Sequence, residues 1–142
     1  MASLFGATVL SSSELAPGLL KEITRAAPDG SAALPVVGQT VYVHYTGKLL
    51  DGSVFDSSVT RGRPFAFKVG IGSVIKAWDL GVMTMPVGQK CVLTCPYDTA
   101  YGADGMPPTI PAKATLVFEV ECLSIGAPPA GQEEEGSWCS IA

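Results

Sequence analysis

Apolar and polar residues alternate with a period of two along several stretches of the chain. In Val41-Tyr-Val-His-Tyr-Thr46, Val41, Val43 and Tyr45 fall on one face and Tyr42, His44 and Thr46 on the other. Phe65, Phe67 and Val69 repeat the alternation with Ala66 and Lys68 opposite, and Leu116, Phe118, Val120 and Cys122 do so with Glu119 and Glu121 opposite. Side chains alternate across a strand but not around a helix, so these segments predict a sheet packed on one side. Leu20-Lys-Glu-Ile-Thr24 predicts an earlier strand before a turn at Pro28-Asp-Gly30, and Asp51-Gly52 a tight reversal into Val54-Phe55. Pro86-Val-Gly88 punctuates the chain ahead of a strand over Lys90-Cys-Val-Leu-Thr-Cys95, and a loop rich in Gly and Pro from Tyr97 to Pro111 precedes the last strand, Thr115 to Ile125. Only one stretch reads as helix: Val74, Ile75 and Trp78 lie within i, i+3 and i+4 reach, Ser73 offers an N-cap and Gly81 a stop. The expected fold is α+β, an antiparallel sheet of about five to six strands wrapped around one short α-helix.

The pattern fades at both ends. Residues 1–18 are small and Ser-rich, and are expected to form a flexible extension; the capping-box spacing from Ser11 to Glu14 has room for barely one turn before Pro17. The folded domain is expected over 19–126. Residues 127–142 carry Pro128-Pro129, Gly131 and the acidic run Glu133-Glu-Glu135, which cannot bury enough apolar area to order itself, and are expected to be a disordered tail.

With 142 residues and 47% apolar side chains, the chain suits one domain with a compact core. A formal charge of −4 argues against phosphate-backbone binding, and nucleic acid is not expected as a partner. The four cysteines lack zinc-ligand spacing and there is one histidine, so no metal or other cofactor is expected. Cys91 and Cys95 share a strand face roughly 13 Å apart, too far to bond each other, and with Cys122 they read as packed, reduced side chains. No basic leader and no apolar run of membrane-spanning length occurs, which predicts a soluble, cytoplasmic protein.

Aromatic residues recur along the strands with one carboxylate and no ordinary nucleophile, a composition that suggests a small apolar pocket with a few polar anchors. The strand phenylalanines Phe65, Phe67 and Phe118 would equally suit a core, Tyr45 and Tyr101 could be core tyrosines, and Asp56 could cap a turn beside Ser57 and Ser58. Gly70-Ile-Gly72-Ser73 lacks the further glycine or the lysine-hydroxyl pair of nucleotide-binding loops and reads as a turn into the helix. His44, on an alternating strand, reads as structural, with no hydrolase triad around it.

Taken together, Val41-Tyr-Val-His-Tyr-Thr-Gly47, Phe55-Asp56, Pro64-Phe-Ala-Phe67, Val74-Ile75, Trp78, Ala100-Tyr-Gly102 and Ala114-Thr-Leu-Val-Phe118 closely resemble the FKBP-type, macrolide-binding peptidyl-prolyl cis/trans isomerases, from about Leu20 to Ile125. The resemblance implies a monomeric isomerase that assists protein folding, acts on X-Pro bonds of peptide and protein substrates, and binds tacrolimus and rapamycin. It implies a pocket lined by Tyr45, Phe55, Asp56, Arg61, Phe65, Val74, Ile75, Trp78, Tyr101, Ile110 and Phe118, with Trp78 as its floor and Arg61 as partner of Asp56. Asp56, Tyr101, Phe118 and Trp78 are the implied catalytic residues. The chain departs from the family pattern at Ser73, Met106 and Thr109, around the rim, where peptide preference and drug affinity are set. A binding module using the same pocket without turnover is the competing reading, which fold cannot separate from catalysis.

The last four residues, Cys139-Ser-Ile-Ala142, loosely fit a prenylation motif at Cys139. Ser140 is not aliphatic and no Lys or Arg follows Lys113, so membrane association is expected only if that cysteine is modified.

Overall fold

The computed structural model describes residues 9–27, 34–100, 102, 105, 110–111 and 113–126. Seven strands run in chain order: β1 (Ser11–Ala16), β2 (Leu19–Arg25), β3 (Thr40–Leu49), β4 (Val54–Ser57), β5 (Phe65–Lys68), β6 (Lys90–Cys95) and β7 (Leu116–Ile125). They form one antiparallel sheet in the order β1-β2-β6-β7-β3-β4, with β5 also paired to β3. Two helices interrupt them, α1 (Ser58–Arg61) between β4 and β5 and α2 (Lys76–Val82) between β5 and β6, and a 3₁₀ turn spans Tyr97–Thr99. The architecture is the expected α+β one.

The alternating residues behave as their period requires. Leu116, Phe118, Val120 and Cys122 are fully buried, as are Val41, Val43, Cys91, Leu93 and Cys95, and they share one core with Trp78 and Val82 of α2. Burial of a large apolar side chain contributes about 1.5–3 kcal/mol, so this face carries most of the fold's stabilisation. The three thiols are free. Burial raises all three above the ordinary thiol range, Cys91 to about 12 and Cys122 to about 11.

Four details differ from the expectation. The sheet has seven strands because Ser11–Ala16, assigned to the extension, pairs with β2. Its side chains are mostly exposed; what holds it is the backbone ladder and the turn at Gly18, whose φ of 81° suits glycine and whose N–H donates to Glu14 Oε2 at 2.9 Å. Alternation of apolar residues cannot signal a strand of that kind. Secondly, α1 is unheralded: it is a single turn capped by Ser57, whose Oγ accepts from Thr60 N–H, and closed by Gly62 at φ 77°.

Thirdly, Ser73 does not cap α2. Its hydroxyl donates to the Lys68 carbonyl at 3.0 Å, and the N-cap position belongs to Ile75, which makes no side-chain bond there. The turn before α2 is held by Asp79, whose carboxylate accepts from Gly70 N–H at 2.8 Å and Gly72 N–H at 2.9 Å. Fourthly, Gly81 lies inside α2, where an added Cβ would stand 2.7 Å from Leu93 Cδ1; glycine is there for close helix–sheet approach, not termination. The expected turn at Pro28-Asp-Gly30, residues 127–142 with Cys139, and the rim residues Met106 and Thr109 lie outside the described residues.

Lys21 of β2 is 4% exposed, with Nζ donating to the carbonyl (3.0 Å) and Oγ1 (2.8 Å) of Thr84, just past α2. Burial lowers its pKa below 10.5, and the neighbouring Cys91 opposes the shift. Between its depressed folded value and the ordinary value, the folded chain binds fewer protons than the unfolded one, so this contribution to stability rises with pH. Urea unfolding of the wild type and Lys21→Met at about pH 7 and about pH 10 should therefore show the wild type gaining on the variant at the higher pH. A pH-independent difference would mean that Lys21 is not depressed.

Candidate active site

Trp78, on the sheet-facing side of α2, is fully buried at the centre of a ring of aromatic side chains. Tyr45 of β3 stands edge-on to it at 4.7 Å between centroids, Phe118 of β7 at 5.4 Å and Phe65 of β5 at 5.7 Å, while Phe67 lies tilted at 5.6 Å. Phe55 of β4 meets Phe118 edge-on at 5.5 Å. Edge-to-face pairs of this kind contribute about 0.5–1.5 kcal/mol each beyond area burial and fix ring orientation. Val74 and Ile110 are buried beside them and Ile75 and Phe55 are half-buried, so the last two form the accessible margin. The Trp78 indole N–H is buried and has no hydrogen-bond partner among the described residues. A donor so placed is rare, and it leaves one polar valence inside an apolar cluster.

A polar network adjoins the rings. The Asp56 carboxylate accepts from the Tyr45 hydroxyl, from Arg61 Nη1 and from the Ser57 backbone N–H at 2.9 Å. Arg61 Nη2 donates to the Tyr45 oxygen at 2.9 Å, and its guanidinium lies 5.6 Å from the Tyr45 ring centroid. Burial lowers the Arg61 pKa, but the hydrogen bonds and charge of Tyr45 and Asp56 outweigh it and hold the group above its ordinary range. The Asp56 side chain is 10% exposed and Arg61 39%, so the cation keeps part of its hydration while the carboxylate draws on protein donors. These are charge-assisted bonds on groups that need not move, which makes the network a fixed electrostatic edge.

The local sequence explains the assembly. β3 delivers Tyr45 and Gly47, and Gly47 pairs with Asp56 on one side and Phe118 on the other. α1 is one turn long, so Asp56 just before it and Arg61 at its end fall on the same flank. The structure thus brings together Tyr45, Phe55, Asp56, Arg61, Phe65, Val74, Ile75, Trp78, Ile110 and Phe118; Tyr101 lies outside the described residues. Phe67, whose role the alternation left as core, contacts Trp78 directly. Gly47 was not singled out: a Cβ there would lie 2.6 Å from Phe55 Cζ and 2.8 Å from Phe118 Cε1. Its place at the end of the motif over residues 41–47 marks the glycine in sequence, but not the close approach of the two rings.

Among the described residues no three His, Cys, Asp or Glu side chains are placed to hold a metal, and no helix is long and apolar enough to cross a membrane. Ser58, the serine bonded to His44, is fully buried, and the described thiols are buried and protonated. The site is thus an aromatic cluster with a polar edge, and no accessible nucleophile stands in it among the described residues.

A sequence profile described as FKBP-type peptidyl-prolyl cis-trans isomerase matches residues 31–123. The FK506-binding protein 1A of Aspergillus fumigatus is 51% identical over 108 residues, covering 76% of this chain and 95% of that protein. The peptidyl-prolyl cis-trans isomerase FKBP4 of Mus musculus is 51% identical over 120 residues, 84% of this chain but 26% of the longer relative. A crystal structure of a peptidyl-prolyl cis-trans isomerase from Pseudomonas syringae superposes with a TM-score of 0.72 at 34% identity, covering 83% of each chain. The chain belongs to the FKBP-type peptidyl-prolyl cis-trans isomerase family.

Gly47→Ala should force Phe55 and Phe118 apart. The expected cost is about 1–3 kcal/mol, the range for overpacking a filled site, seen as a lower denaturation midpoint with an unchanged slope. An unchanged midpoint would show that the rings can yield at no cost.

Proposed function

We propose that the chain accelerates cis/trans rotation about X-Pro bonds in peptide and protein substrates, and that it assists folding by doing so. The carrying observation is the aromatic cage around Trp78 with the Tyr45–Asp56–Arg61 network at its edge. Rotation is slow because amide resonance must be broken, at a barrier of about 18–20 kcal/mol, and no covalent intermediate is needed. An environment that binds the twisted amide more tightly than the planar one lowers that barrier, about tenfold in rate for each ~1.4 kcal/mol.

In this reading the prolyl ring enters past Phe55 and Ile75 and packs on Trp78, Phe65, Val74 and Phe118. The Ile75 backbone N–H and the Tyr101 hydroxyl orient the flanking carbonyls. Asp56 supplies polar preorganisation through Tyr45 and Arg61 and transfers no proton. Ile110 borders the same pocket. Tacrolimus and rapamycin are proposed to occupy it competitively, and the chain is proposed to act as a cytoplasmic monomer, reaching a membrane only if Cys139 is prenylated.

A protease-free isomerisation assay on X-Pro peptides should show turnover that tacrolimus abolishes. Phe118→Ala and Trp78→Leu, verified as folded, should each lose tenfold or more, of the order expected when a few kcal/mol of transition-state contact is removed. Full activity in either variant would overturn the pocket assignment. Tight drug binding by a wild type without turnover would make the chain a binding module.

A further inference from the structure

We propose that Ser58 and His44 are positioning residues, clamping α1 to β3 so that the polar edge of the pocket stays assembled on Tyr45. The proposal rests on the isomerase reading. Ser58, the first residue of α1, is 0% exposed, and its Oγ accepts the Tyr45 backbone N–H at 2.8 Å. The same oxygen lies 2.8 Å from His44 Nδ1 and 3.4 Å from the Tyr45 carbonyl oxygen. Ser58 is therefore bound to both sides of the residue whose phenol meets Asp56 and Arg61. Asp56 lies two residues before it and Arg61 three after, so α1 cannot shift on β3 without moving both.

A hydroxyl has a single proton to give, and His44 decides where it points. With His44 neutral and protonated on Nε2, Ser58 donates to Nδ1 at the short distance while accepting from Tyr45 N–H. With His44 charged, Nδ1–H becomes a donor to Ser58 Oγ, and the hydroxyl proton must turn to the Tyr45 carbonyl at 3.4 Å, a poor bond. The clamp is tight in the neutral state and loosened in the charged one.

His44 lies on the sheet face opposite the aromatic cluster. It faces Glu121, its register partner on β7, with Glu119 of β7, Lys90 of β6 and Val59 of α1 around the same shallow groove. Glu121 is engaged by Arg25 at 2.5 Å, and Glu119 lies 3.8 Å from Lys90. Burial lowers the His44 pKa below 6.5, with Glu121 opposing, so the neutral state prevails at neutral pH. A serine and a histidine beside a glutamate could suggest a nucleophile, but Ser58 Oγ is sealed from any substrate, and its bonds run into the backbone of the site.

The test is the pH profile of kcat/KM in the full chain, measured without protease from about pH 8 to about pH 5, the span of histidine titration. The wild type should lose activity as His44 charges. His44→Asn, whose amide oxygen replaces the Nδ1 acceptor but does not titrate, should keep the neutral-pH rate and flatten the profile. Ser58→Ala should lose about threefold to tenfold, the worth of one net hydrogen bond, with a flat profile. A purely structural serine would lower the melting temperature and leave the profile intact, which would overturn the proposal. So would a flat wild-type profile, or a fall that persists in His44→Asn. The Tyr45 amide resonance separates this outcome from failure of the isomerase reading. It should follow the His44 titration whether or not peptide is turned over, and an amide that ignores that titration sinks the clamp.

Discussion

Strand β3 is hydrogen-bonded along both edges, to β7 over nearly its whole length on one side and to β5 and then β4 on the other. The rest of the molecule depends on that double pairing. Because side chains alternate, a slip of one residue would carry Tyr45 to the outer face and put His44 among the aromatic rings. Gly47 bars the slip by sterics: Phe55 and Phe118 close over its position so tightly that neither Thr46 nor Lys48 could stand there. Hydrogen bonds at the edges and exclusion at the centre hold one register. Tyr45, where the apolar cluster meets the polar network, is thereby placed by the sheet rather than by a loop.

The network on Tyr45 shows how a nearly buried carboxylate is tolerated beside apolar rings. Asp56 accepts from a phenol, a guanidinium and a backbone amide, so little of its lost hydration is uncompensated. The counter-charge sits on Arg61, which remains partly in water and bears a smaller desolvation cost. The field at the edge of the aromatic cluster is thus set by the fold itself.

Much of this was legible in the residues, for identifiable reasons. The strands carrying Val41 to Thr46, Phe65 to Lys68 and Leu116 to Ile125 bury one face, and burial leaves an alternating record. β1 leaves none, because a Ser-rich edge strand is held by main-chain bonds that any side chain permits. α1 is too short for periodicity, and its Ser57 cap is indistinguishable in sequence from the turn-capping role open to Asp56. Ser73 and Gly81 have the right identities for a helix start and stop, yet serve a turn and a close packing contact, distinctions that only the neighbours Lys68 and Leu93 reveal. In the site, the aromatic set and the Asp56–Arg61 pairing followed from the family resemblance, since alternation alone could not tell a pocket wall from a core. Ser58 and His44 carried no such mark: their significance lies in three distances around one hydroxyl.

The thiols of Cys91, Cys95 and Cys122 lie buried on β6 and β7, the two middle strands of the sheet. A thiol kept protonated and away from solvent reacts only when its strand opens. Opening the centre of an antiparallel sheet comes close to unfolding the whole domain, so slow alkylation of these cysteines counts departures from the native state. The chain carries an internal clock of its own persistence, set in the scaffold that holds Tyr45 and Trp78.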